Sequence, residues 1–117
     1  MQIDTERVKQ ASEFLKGSLQ EIRQCETKDQ LRGYEGEAAK LYFRVFDEMI
    51  LQQKKDFFFE KRSKRPPMDR VNALLSFTYT LLTHMVRSAL ETVGLDPYVG
   101  YLHTERPGRV SLALDLM

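Results

Sequence analysis

A chain of 117 residues has room for one domain at most, with a modest core and little to spare. With 42% hydrophobic and 30% charged residues it reads as a soluble globular chain, and a net charge of +1 names no partner by bulk attraction. A single cysteine, Cys25, excludes an intrachain disulfide, the polar start MQIDTERVKQ is unlike a signal peptide, and no run is long and apolar enough for a membrane span; a cytoplasmic protein is expected.

The first element is an amphipathic helix over residues 4–25, in which Val8, Ala11, Leu15, Leu19 and Ile22 recur at spacings of three and four. Asp4 or Thr5 can cap its start. Residues 27–30, TKDQ, have the form of a capping box and open a second helical stretch, which Gly33 and Gly36 are expected to interrupt. From there EAAKLYFRVFDEMILQQ is strongly helical, with Ala39, Phe43, Phe46 and Ile50 on one face and Tyr42, Val45 and Met49 beside it.

The segment KKDFFFEKRSKRPP loses helical periodicity, and Pro66-Pro67 cannot continue a helix. Asp69 then caps a long helix of about 69–93, ended by Gly94. Its apolar residues spread nearly all round, which predicts a central helix, about 37 Å long at the usual rise. GLDPYVGYLHTERPGR reads as a structured loop, and VSLALDLM starts another helix. Nothing alternates with a period of two, so the predicted class is all-α.

Four features carry possible chemistry. Residues 54–70 hold seven cations, Lys54, Lys55, Lys61, Arg62, Lys64, Arg65 and Arg70, against three acids. Such a patch neutralises phosphodiester backbones, or else forms a solvated loop. Glu35 stands between two glycines; it either complements a helix dipole or uses the glycines to let a ligand approach. His103 fits a metal ligand, a general base or a hydrogen-bonded loop histidine. Asp115, inside apolar SLALDLM, needs a partner or a job, because an unpaired buried acid is costly. His84 reads as a plain helix-face residue, and neither a nucleophile elbow nor a phosphate-cradling Gly-Lys-Ser loop is present.

The segments LRGYEGEAAKLYF, RSKRPPMDRVNALLSFTYTLL and GLDPYVGYLHTERPGRVSLALDLM, in this order and at these intervals, resemble the CRISPR-associated integrase/endonuclease family, Cas one, and its type I-C branch most. The resemblance runs from about Leu31 to Met117, and residues 1–30 fit the helix that precedes it.

That resemblance implies an all-α catalytic domain which follows an N-terminal β-domain in a homodimeric protein. With the Cas two protein, such proteins insert captured DNA, the protospacer, at the CRISPR repeat. It implies a divalent-metal site built from Glu35, from His103 and from an acid directly after the DLM of this chain. Asp115 matches the family's Asp within that motif, a catalytic residue close to the metal and behind its direct ligands. Oxygen donors with one imidazole suit Mg²⁺ or Mn²⁺. Arg62, Lys64 and Arg65, with Arg106 and Arg109 beside His103, are expected to hold DNA phosphates. Residues 1–117 are then expected to form one truncated helical domain, short of the β-domain and the third ligand and inactive alone. Two other readings stay open: a non-catalytic helical module that binds nucleic acid, and an oligomerisation domain.

Overall fold

The structure, a computed structural model, describes residues 5–117. Among the described residues the regular structure is helical only: α1 (Thr5–Arg23), α2 (Lys28–Phe46), a 3-10 turn (Asp47–Met49), α3 (Arg70–Thr92) and α4 (Ser111–Leu116). The all-α expectation holds, and the long helix lies within a residue of its predicted bounds at each end. The chain forms two compact units, the first ending at Ala73 and the second starting at Leu74. Asp4, one of the two expected caps of α1, lies outside the described residues.

In the first unit α1 and α2 pack together through a four-residue connection, Gln24–Thr27. Ala11 and Ser18 are the buried positions of α1, and the Ser18 hydroxyl donates to the Phe14 carbonyl at 3.0 Å, so its burial leaves no orphan. The predicted box opens α2: Thr27 Oγ1 accepts from the Gln30 amide at 3.2 Å. The return bond goes one residue further back, from the Glu26 amide to Gln30 Oε1 at 3.0 Å.

Contrary to expectation, Gly33 and Gly36 do not interrupt α2, which passes through both. A helical glycine costs only about 1 kcal/mol relative to alanine, which a capped start and aromatic packing further along can offset. That packing joins Phe43 and Phe46 to Phe59, with ring centroids 5.5 Å and 4.9 Å from Phe59. Of the three consecutive phenylalanines in the non-helical segment, only Phe59 is buried.

Asp47 fixes that segment to the end of α2. Its carboxylate accepts the Phe59 amide at 2.7 Å and pairs with Lys54 Nζ at 2.6 Å. Partial burial raises the Asp47 pKa, but the Lys54 and Phe59 bonds and the Lys54 charge outweigh it and hold it below the usual carboxylate value.

Helix α3 begins as predicted, with Asp69 Oδ1 accepting the Asn72 amide at 2.7 Å. It ends in a Schellman motif: Gly94 adopts φ +82°, its amide donates to Glu91 and the Leu95 amide donates to Leu90. Val71 and Leu90 are buried, whereas Leu74, Phe77, Leu81 and Met85 form a stripe that this chain leaves exposed. Among the described residues no helix is long and apolar enough to cross a membrane.

Candidate functional site

The predicted loop between α3 and α4 is structured because α4 holds it. Leu112 donates its amide to the Pro97 carbonyl at 2.9 Å, and the fully buried Ser111 donates its hydroxyl to the Thr104 carbonyl at 3.2 Å. Gly100 lies between these anchors. A Cβ on it would stand 2.4 Å from the His103 carbonyl oxygen and 2.5 Å from Ser111 Cβ, so only glycine fits without moving the loop.

Asp115 supplies the last anchor. Its Oδ2 accepts the amides of Tyr101 at 2.6 Å and Leu102 at 3.0 Å, and its Oδ1 accepts the His103 amide at 2.7 Å. The same Oδ1 lies 2.5 Å from His103 Nδ1. Asp115 thus has the partner that its apolar setting demanded: three consecutive amides and one imidazole. Burial raises the Asp115 pKa; the amides of His103, Leu102 and Tyr101, with the His103 ring, outweigh it and hold the group far below the ordinary carboxylate range.

An ionised carboxylate only accepts, so in the neutral ring the proton sits on Nδ1 and Nε2 keeps its lone pair. The His103 side chain is 27% exposed against 10% for Asp115, which leaves the imidazole reachable while its orienting partner is covered. A carboxylate behind an imidazole is the arrangement that orients histidine as a metal ligand or a base.

Glu35 lies well inside α2, exposed, with no hydrogen bond or ion pair to its carboxylate among the described residues. Because the glycines do not end the helix, Glu35 is not in a first turn, and Asp29 holds that dipole position instead. Glu35 belongs to the first unit, and His103 and Asp115 to the second. Among the described residues no group of three or more His, Cys, Asp or Glu stands ready to hold a metal.

The basic segment divides by partner. Lys54 is spent on Asp47, and Arg70 pairs with Asp56 at 3.4 Å. Arg62 is half-buried, with its Nη1 donating to the Ser63 carbonyl at 2.7 Å and to Asn72 Oδ1 at 2.8 Å. Lys64 and Arg65 are exposed and join no ion pair among the described residues. Arg106 is exposed and Arg109 half-buried in the loop beyond His103. Sequence reasoning passed over Asn72, which is fully buried; the one visible signal was an amide side chain in the first turn of a helix otherwise rich in apolar residues.

The model of the CRISPR associated protein Cas1 family matches residues 1–117. The CRISPR-associated endonuclease Cas1 1 of Chlorobaculum tepidum is 55% identical over 114 residues, 97% of this chain and 33% of the relative. The CRISPR-associated endonuclease Cas1 2 of Rhodospirillum rubrum is 66% identical over 93 residues, 80% of this chain and 27% of that protein. The chain thus spans about a third of the length of these relatives. A solved CAS1 protein from Thermotoga maritima superposes with a TM-score of 0.73 at 31% identity, covering 97% of this chain and 40% of the other. A match over the whole chain, close relatives of one kind and a shared helical fold agree on one assignment: the chain belongs to the CRISPR associated protein Cas1 family.

Proposed function

We propose that this chain forms the helical catalytic part of a metal-dependent DNA endonuclease and integrase of CRISPR spacer acquisition. The observation that carries the reading is the Asp115–His103 pair, in which the carboxylate takes Nδ1 and leaves the Nε2 lone pair of the neutral ring available to coordinate. With the Glu35 carboxylate it offers nitrogen and oxygen donors without thiolate, a set that fits Mg²⁺ or Mn²⁺. A bound dication would supply Lewis-acid polarisation of a phosphodiester and charge stabilisation of the departing 3′-oxygen.

In this reading His103 and Glu35 hold the cation, Asp115 keeps the imidazole turned with Nε2 outward, and no side chain serves as covalent nucleophile. The exposed cations Lys64 and Arg65, with Arg106 and Arg109, neutralise the DNA backbone, and Arg62 belongs to the same segment. The substrates are protospacer and CRISPR-repeat DNA, and the partners are the Cas two protein and a second copy of the whole protein. The support is family membership together with this donor chemistry. In the whole protein, Glu35→Ala and His103→Ala are each expected to abolish metal-dependent DNA cleavage. Full cleavage by either variant would overturn the ligand assignment.

A further inference from the structure

Asn72, in the first unit, uses the full hydrogen-bonding capacity of its side chain. It has no exposed surface, and its amide makes four hydrogen bonds. Nδ2 donates to the Lys61 carbonyl at 2.8 Å and to Asp69 Oδ2 at 2.9 Å, while Oδ1 accepts from the Ser63 amide at 2.8 Å and from Arg62 Nη1 at 2.8 Å. Arg62 Nη1 also donates to the Ser63 carbonyl at 2.7 Å, so Ser63 is held at both its amide and its carbonyl. The Met68 amide then donates to Ser63 Oγ at 2.9 Å. Residues 64–67 are therefore a short loop whose two ends, Ser63 and Met68, are tied together and to the start of α3. The two cations on that loop, Lys64 and Arg65, are exposed and have no ion-pair partner among the described residues.

We propose that Asn72 is a positioning residue for DNA binding, and that Arg62 acts through Asn72 and Ser63, not on a phosphate. The inference rests on the DNA-binding reading above and refines it: Lys64 and Arg65 are the phosphate ligands of this segment, and Asn72 with Arg62 is the frame that holds them. Helix capping alone needs only the Asp69 carboxylate on the Asn72 main-chain amide; three of the four side-chain bonds of Asn72 add the fixing of residues 61–63. Two fixed cations bind adjacent phosphates with less ordering cost than two on a free loop.

The test measures the affinity of the chain for a mixed-sequence duplex DNA across a salt series. Replacing both Lys64 and Arg65 by alanine is expected to reduce the slope of log affinity against log salt by about two. Arg62→Lys keeps the charge but not the planar guanidinium, whose Nη1 donates to both Asn72 and Ser63. It is expected to weaken binding about tenfold, the size of one charge-assisted hydrogen bond. That loss should vanish in the background lacking Lys64 and Arg65. Asn72→Ala should behave the same way, and tryptic cleavage after Lys61 and Lys64 should quicken in both variants while α2 stays resistant. Should Asn72→Ala fail to fold, Arg62→Lys carries the test alone. Wild-type binding by Arg62→Lys, or a loss that persists without Lys64 and Arg65, overturns the inference and leaves the DNA reading standing. A wild-type chain with no salt-sensitive DNA affinity overturns both.

Discussion

Asp115 Oδ1 meets the His103 ring at 2.5 Å and the His103 main-chain amide at 2.7 Å, so one carboxylate oxygen fixes both the ring and the backbone of the same residue. The first prediction follows from that double hold. In Asp115→Asn an amide NH₂ must face either the His103 donors or those of Tyr101 and Leu102, stranding at least one of them. The expected cost is about 1–3 kcal/mol of folding stability. The neutral imidazole should also lose its fixed proton on Nδ1, read directly from the ring ¹⁵N shifts. An unchanged tautomer in the variant would show that Asp115 does not set it.

Acid should act through the same group. The Asp115 pKa is lowered in the folded state, so its stabilisation is complete above the ordinary carboxylate pKa of about 3.9 and declines as pH falls below it. Urea unfolding from about pH 7 down to about pH 3 should show a fall in stability that Asp115→Asn makes shallower. Parallel curves for the two proteins would assign the acid sensitivity elsewhere, with Asp47 the next candidate because its pKa is lowered too.

Gly100 gives a steric prediction. The added methyl of Gly100→Ala would press on the His103 carbonyl and on Ser111, neither of which can turn aside as a flexible side-chain end would. A loss of about 1–3 kcal/mol is expected, the usual cost of overpacking, together with shifted His103 resonances. Gly17, where nothing lies within 4 Å of the added atom, serves as the control: Gly17→Ala should leave those resonances unmoved and stabilise α1 slightly.

The uncovered stripe of α3 bears on how this chain behaves by itself. Leu74, Phe77, Leu81 and Met85 are 54%, 62%, 49% and 69% exposed, and apolar surface of this extent favours association. Sedimentation should therefore depend on concentration, and Phe77→Glu with Met85→Glu should reduce that dependence. Monomeric behaviour of the unaltered chain at every concentration would contradict this.

How far the sequence carried these conclusions differs between elements. The helix starts and the end of α3 were legible because their signals are local: the spacing in α1, the box at Thr27, the Asp69 cap and the Gly94 stop are each contained within a turn or two, whereas the helical run expected to reach Gln53 ends at Phe46. Gly33 and Gly36 misled because propensity is a weak term, which aromatic packing with Phe59, from outside the helix, can offset. The need of Asp115 for a partner was legible from its apolar neighbours. Its identity was not, since main-chain amides carry no sequence mark and their approach depends on the path of the loop through Gly100. Asn72 went unread for a similar reason: three of its partners, Lys61, Arg62 and Ser63, come from a segment without periodicity. The roles expected of Glu35 and His103 came from resemblance to the family, whereas the basic segment with Arg62, Lys64 and Arg65 was legible from its charge density.

The central claim is that Glu35 and His103 bind one and the same cation. Titrating Mn²⁺ into the chain while following the side-chain resonances of both residues tests it most directly, because paramagnetic broadening reports only nearby nuclei. Both sets of signals should broaden together over one range of Mn²⁺ concentration, and each should sharpen again when the other residue is replaced by alanine. Broadening of one residue that is indifferent to loss of the other would contradict a shared site.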